Sequence, residues 1–225
     1  MTWDYAYTPR ILPSVLVAFL LSWLSTYAWR RRTVPSAPVF GAGCLVGALW
    51  VTGSALVEAA TDGATKVFWH KFQGGWQLPT ITAMTCFVLA YVWPGRWLTP
   101  RNLALLSVVP VLSALLIFTN RWHHLMWLGF TFEGTLVPLH GVAAWAGIAY
   151  SYGLSLINVL AFVWLFLRSP EHRWPVAIIL TGQVAVRVVY GLDALGVIHS
   201  RAPVGTLVTG VMFLMYGVAL FGFGW

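Results

Sequence analysis

Charge is scarce in this chain, and so are cysteine and lysine. Of 225 residues only 8% are charged, six of them acidic against 13 Lys and Arg. That is too little polar surface to solvate a soluble globule of this size. The net charge of +7 therefore does not point to nucleic acid, because it belongs to a chain that needs an apolar surrounding. Only two cysteines are present, Cys44 and Cys86. Both fall inside long apolar runs, which argues against a disulfide framework and leaves them as packing residues. Lysine occurs only at Lys66 and Lys71. The last apolar run has none, which excludes the Schiff base of a retinal protein. No glycine-rich phosphate loop and no nucleophile set beside a base occurs, so catalysis by this chain is not expected. No HxxxH or HExxH pair points to a metal site, and no cofactor is expected.

What is present is apolar sequence: 59% hydrophobic residues and a mean hydropathy of +0.78. It is arranged as runs at 11–28, 38–57, 74–93, 103–119, 142–167, 174–196 and 203–225. A helix needs about 20 residues to cross roughly 30 Å of hydrocarbon, and these runs meet or approach that length. Unpaired backbone groups are costly in lipid, so such runs form helices. The expected fold is an all-α integral membrane protein, one seven-transmembrane helix bundle over residues 1–225. The run from Ile11 is too long, and lacks the cleavage pattern, for a signal peptide, so it is kept as the first helix.

Charge placement predicts orientation. Arg30, Arg31 and Arg32 follow the first run, Arg96 and Arg101 the third, and Arg168 and Arg173 the fifth. Arg10, Lys66, Lys71, Arg121 and Arg201 lie on the other side with Asp4, Glu58, Asp62, Glu133 and Asp193. By the positive-inside rule the N-terminus is outside and the C-terminus cytoplasmic. The cytoplasmic connections are short, roughly nine, nine and six residues, with no room for an inserted domain. The outer stretches 58–74 and 120–141 are rich in Trp and Phe and read as caps or turns at the membrane surface. Five of the six histidines, His70, His123, His124, His140 and His199, also fall on that side.

Polar residues inside the runs mark candidate sites. On the sixth run Gln183, Arg187, Tyr190 and Asp193 share one face. An arginine there must face the bundle interior and find a carboxylate, and Asp193 and Glu58 are the candidates. Its role is either an ion pair that locks the bundle or an anchor for a ligand. On the fifth run Ser151, Ser155 and Asn158 share a face, flanked by Tyr150 and Tyr152, and read as interhelical glue or a binding surface. The third run carries Lys71, Gln77, Thr80, Thr82 and Thr85, loosened by Gly74, Gly75 and Pro79.

The segment Thr119-Asn120-Arg121-Trp122-His123-His124-Leu125-Met126-Trp127 resembles the TN-x-x-HHL-x-W signature of the amino-terminal seven-helix sensor region of prokaryotic membrane histidine kinases. The Lys66–Lys71 run, Pro79, Pro110, Tyr150-Ser151-Tyr152 and Arg168-Ser169-Pro170 fit the same pattern. The resemblance covers nearly the whole chain. It implies an extracytoplasmic sensor in a prokaryotic plasma membrane whose seventh helix passes a conformational signal to a cytoplasmic output domain or partner. No H-box, ATP-binding motif or coiled coil precedes Trp225, so that output lies in a partner or in a further domain.

The expected ligand is a small molecule or lipid, contacting Glu58, Trp69, Lys71, Trp76, His123, His124, Trp127, Tyr150, Arg187, Tyr190 and Asp193. Partners would be the bilayer, the ligand and the output domain, with a homodimer as one arrangement. Two other readings stand beside this one: a non-catalytic subunit of a larger membrane complex, and a metal-binding hydrolase using the outer histidines.

Overall fold

The computed structural model describes residues 3–132, 136–194 and 204–222, and at 190, 191, 193 and 194 the backbone alone. In chain order the elements are α1 (Ile11–Arg30), α2 (Ala37–Ala59), α3 (Gly63–Val92), α4 (Pro100–Phe118), the single turn α5 (Asn120–His123), β1 (Trp127–Phe132), β2 (Leu136–His140), α6 (Val142–Arg168), α7 (Arg173–Ala194) and α8 (Val204–Gly222). Seven long helices therefore stand where the seven apolar runs do. Five of them, α1, α2, α4, α6 and α8, are long and apolar enough to cross a bilayer. The other two, α3 and α7, carry the glutamines and Arg187, whose polar groups turn inward or toward the hairpin end.

Local signals explain the helix starts. Asp62 caps α3 by accepting from the Thr65 N–H at 2.9 Å, and Thr99 caps α4 by accepting from the Asn102 N–H at 3.3 Å, with Pro100 pre-set for the first turn. The Asp62 cap starts α3 eleven residues before the expected span. The stretch expected as a surface cap from 63 onward is thus three helical turns, ~16 Å of helix projecting beyond the apolar run. Residues 120–141 differ from expectation too. They form α5 and an antiparallel hairpin with Phe130 opposite Pro138 and a bulge between Trp127 and Gly129. The helical architecture therefore carries one small sheet.

The helices pack in a ring, α1 on α2, α2 on α3, α3 on α6, α6 on α7, α7 on α8 and α8 back on α1, while α4 lies outside against α3. The apolar core fills the end of the ring opposite the hairpin. There Phe40, Phe87, Phe162, Phe213 and Tyr216 are fully buried and stack at centroid distances of 5.2 to 6.0 Å between Phe40 and Phe87, Phe87 and Tyr216, and Phe162 and Tyr216. The same end gathers all seven arginines assigned above to one membrane side.

One hydrogen bond holds the peripheral α4. Pro110 has no N–H for the Leu106 carbonyl four residues earlier. Tyr150 Oη, on α6, donates to that carbonyl at 3.1 Å and lies 3.2 Å from Thr82 Oγ1 on α3. Three helices are tied by one phenol. Tyr150→Phe is expected to cost about 1 to 2 kcal/mol, measured as a lower thermal midpoint in lipid nanodiscs. A midpoint equal to wild type would show that the freed carbonyl finds another donor.

Candidate functional site

The hairpin end of the bundle is built around Asn120. Its side chain is buried. Asn120 Oδ1 accepts from the N–H groups of Met126 at 2.9 Å and Trp127 at 3.1 Å, and Nδ2 donates to the Trp127 carbonyl at 2.8 Å. Three backbone groups that leave the helix unpaired are thereby satisfied. The next link is His123. Its Nδ1 accepts from the Leu125 N–H at 3.0 Å, so its proton sits on Nε2, which donates to Thr119 Oγ1 at 3.0 Å. That hydroxyl donates onward to the Leu115 carbonyl at 2.6 Å. His124 takes φ +53°, the left-handed cap of α5, and its side chain is exposed. The TN-x-x-HHL-x-W segment is thus a turn-forming clamp. It delivers Trp127, 5% exposed, to the wall of a cavity.

That cavity measures about 220 Å³ and lies between α3, α4, α6 and the hairpin. From α3 come His70, Gln73, Gly74, Gln77 and Leu78, from α4 Ser113 and Ile117, from α6 Ala144, Gly147, Ile148 and Ser151, and from the hairpin region Met126, Trp127, Pro138 and His140. Helical spacing puts His70, Gln73 and Gln77 on one face of α3. Gly74 is required beside them. A Cβ there would stand 3.3 Å from both the Trp127 ring and Ile117 Cδ1, so glycine lets the indole reach the helix.

His70 packs at ring-centroid distances of 5.2 Å from Trp127 and 5.7 Å from Phe130. Burial first, and His140 second, push its imidazole down to about 4. An unfolded chain would protonate it near the free value of 6.5. Above that pH both states are neutral and there is no penalty. As pH falls from about 6.5 toward 4, the unfolded chain binds a proton that the folded one refuses, and stability drops. His70→Gln is expected to flatten that decline in pH-dependent thermal unfolding. An identical slope in the variant would rule out His70 as its source.

Of the residues expected to bind ligand whose side chains are described, Trp127 alone lines this cavity. Trp69 donates from its indole nitrogen to Tyr5 Oη at 2.9 Å and belongs, with Phe68, Phe72 and Trp76, to an aromatic ladder along α3. Trp76 also lines an apolar groove between α3 and α4. Lys71 lines a different groove, beside Phe130 and Phe132. Tyr150, His123 and His124 have the roles given above. Glu58 is half-buried near the end of α2. The side chains of Tyr190 and Asp193, and residues Glu133, His199 and Arg201, lie outside the described residues.

The Asp193 side chain, one of the two expected partners, lies outside the described residues, so the surroundings of Arg187 are given by the contacts that are described. Among the described residues no carboxylate pairs with it within 4.0 Å, Glu58 included. Its guanidinium donates to Ser155 Oγ and lies 5.1 Å over the Tyr152 ring, while its Nε has no partner. A hydroxyl and a π-face are thus the described partners of the guanidinium. One turn earlier, the buried Gln183 donates from Nε2 to Tyr216 Oη on α8. On α6 the Ser155 hydroxyl donates to the Ser151 carbonyl at 2.9 Å. A polar line of two segments therefore results, Ser151–Ser155–Arg187 and Gln183–Tyr216, adjoined by the i, i+4 spacing of Gln183 and Arg187 on α7 and not by a hydrogen bond.

The sequence reading passed over His70, Gln73, Ser113, Met126 and His140 as a group. The three-four spacing of His70, Gln73 and Gln77 was a usable signal for part of it. No cluster of three or more metal-binding side chains occurs among the described residues.

The family model described as the N-terminal 7TM region of histidine kinase matches residues 13–224, from the first turn of α1 past the end of α8. The chain belongs to that family. A comparison with curated proteins gives no match. The 7TM region of a histidine kinase is a membrane sensor module, and the chemistry of phosphoryl transfer is not sought in its helices. Within this 7TM region the clamp at Thr119–Trp127 and the cavity it walls form the most elaborate local structure outside the core.

Proposed function

We propose that this 7TM region is the sensory half of a signalling system, binding a small molecule in the hairpin-end cavity and passing a change of helix arrangement along α6, α7 and α8. Seven membrane crossings, the N-terminus outside and the arginine-rich end in the cytoplasm place the cavity on the extracytoplasmic side of a prokaryotic plasma membrane. The helix that meets the output domain or partner is then α8, with a homodimer as the signalling unit. The observation that carries this reading is the polar line. From Ser151, hydrogen bonds reach Ser155 and Arg187, and on the adjoining turn of α7 Gln183 bonds Tyr216 on α8.

Signalling needs only that the ligand favour one of two arrangements. Closed aromatic packing around Tyr216 makes a displaced α8 a discrete alternative rather than a continuous bend. The test places spin labels at two exposed positions, Trp29→Cys on α1 and Val218→Cys on α8, in nanodiscs, with the buried Cys44 and Cys86 left in place. A stabilising compound found by thermal-shift screening is expected to change the label-to-label distance distribution. Arg187→Met is expected to keep the thermal shift and abolish the distance change. A distance change that persists in that variant would remove the polar line from the mechanism, and a compound that acts equally on a Ser151→Leu, Gln77→Leu variant would remove the cavity.

A further inference from the structure

Fifteen residues line the hairpin-end cavity, and none is Asp, Glu, Lys or Arg. The nearest lysine in sequence, Lys71, faces the neighbouring groove instead. The walls are nevertheless polar. The amides of Gln73 and Gln77, the hydroxyl of Ser113 and the rings of His70 and His140 line the cavity. None of these side chains hydrogen-bonds within 3.5 Å to another described residue. Elsewhere in the bundle Thr80, Thr85, Ser155 and Thr209 all donate to the carbonyl four residues back, while unpartnered polar atoms such as Ser14 Oγ, Trp50 Nε1 and Asn158 Oδ1 occur singly. Unspent donors and acceptors beside a cavity are what a ligand would complete.

Each glutamine offers one carbonyl and one NH2, and an imidazole in its neutral form offers one donor and one acceptor. A charged ligand would find no countercharge there and would lose its hydration without recompense. An uncharged molecule carrying an acceptor and a donor side by side would satisfy the amides reciprocally. Its apolar body would meet Trp127, Ile117 and Leu78. The space is about 220 Å³, below the roughly 300 to 1,000 Å³ of drug-sized sites, so the molecule is small.

From this we infer that the cavity takes small uncharged carboxamide-like molecules, with the amide against Gln73 and Gln77 and the flat apolar part against Trp127. The inference rests on the reading of this cavity as the sensory site and adds the chemical class of what fills it.

Three probes of nearly one shape separate the charge states: 4-fluorobenzamide, 4-fluorobenzoate and 4-fluorobenzamidinium, with fluorobenzene for the apolar part alone. Binding to the full chain in nanodiscs is followed by fluorine NMR line broadening, with empty nanodiscs subtracting partition into lipid. The benzamide is expected to bind at least about tenfold more tightly than the other three, one hydrogen-bond's worth of discrimination or more. Gln77→Leu is expected to bring the benzamide down to the level of fluorobenzene. Gln77→Glu is expected to transfer the preference to the benzamidinium. Thermal unfolding of both variants checks that they are folded.

Benzoate or benzamidinium binding to wild type as tightly as the benzamide, with sensitivity to Gln77, would overturn the charge assignment and leave the cavity as the sensory site. Fluorobenzene binding as well as the benzamide would overturn the polar assignment in the same way. Saturable binding of none of the probes, or binding indifferent to both Gln77 variants, would overturn the inference. The spin-label distances then decide separately whether the sensory reading survives it.

Discussion

Asn120→Ala is expected to destabilise the hairpin end by about 2 to 4 kcal/mol, because it strands buried backbone groups that cannot reach water. The Met126 and Trp127 N–H groups lose their shared acceptor and the Trp127 carbonyl loses its donor. No main-chain substitute is at hand, since residues 124–126 lie between α5 and β1 and belong to neither ladder. The loss has a local address. Trp127 stops being held against His70 and Gly74, and the cavity loses a wall. Two measurements check this: the thermal midpoint in nanodiscs, and protease sensitivity between His124 and Gly129. A variant that melts like wild type and resists cleavage there would show that Asn120 does not hold the turn.

Gly141→Ala is expected to be at least as severe, about 3 kcal/mol or more, because the clash is with backbone and not with a side chain that could turn away. A Cβ at Gly141 would stand 2.2 Å from the Leu125 carbonyl oxygen, 2.7 Å from its carbon and 2.9 Å from the His124 oxygen. Two hydrogen bonds stitch the same crossing, Gly141 N–H to the Met126 carbonyl at 2.9 Å and Ala143 N–H to the Leu125 carbonyl at 3.0 Å. Relieving the clash means breaking both. The start of α6 would then part from the turn after α5, and the cavity between them would open. Folding yield and thermal midpoint of the variant in nanodiscs measure it, and a midpoint within a degree or two of wild type would disprove the close approach.

The two substitutions bear on the same few residues from opposite sides. They explain why a motif noticed for its histidines acts through its asparagine. His123 is occupied in accepting from Leu125 and donating to Thr119, and His124 caps a helix turn. Paired histidines on an outer loop invite a ligand or metal role in sequence. Here the ring nitrogens of His123 and the φ angle of His124 serve the turn.

Some of the candidate site was legible before any coordinates. Trp127 was picked from its place in the motif and it does wall the cavity. Gln77 was noticed among the polar residues of the third run, and Ser151 as interhelical glue or part of a binding surface. Arg187 was expected beside Glu58 or Asp193; Glu58 does not pair with it, the Asp193 side chain lies outside the described residues, and a serine hydroxyl and a tyrosine face meet it. Periodicity places a residue on a helix face but not which neighbouring helix that face meets. Tyr150 shows the same limit. Its hydroxyl serves a carbonyl on α4 freed by Pro110, a partnership 44 residues away in sequence.

The amino-acid sequence alone determined the number and approximate placement of the long helices, because apolar length and the need to pair every backbone group locally are written residue by residue. The family was legible in the same way, from a motif of contiguous residues. The ring with α4 outside it, the hairpin in place of a surface turn, and the choice of which polar side chains share a cavity were decided by tertiary structure alone. Those depend on how far each helix is rotated about its own axis, and that rotation is settled by close contacts among small residues, aromatic rings and single hydrogen bonds from several helices at once.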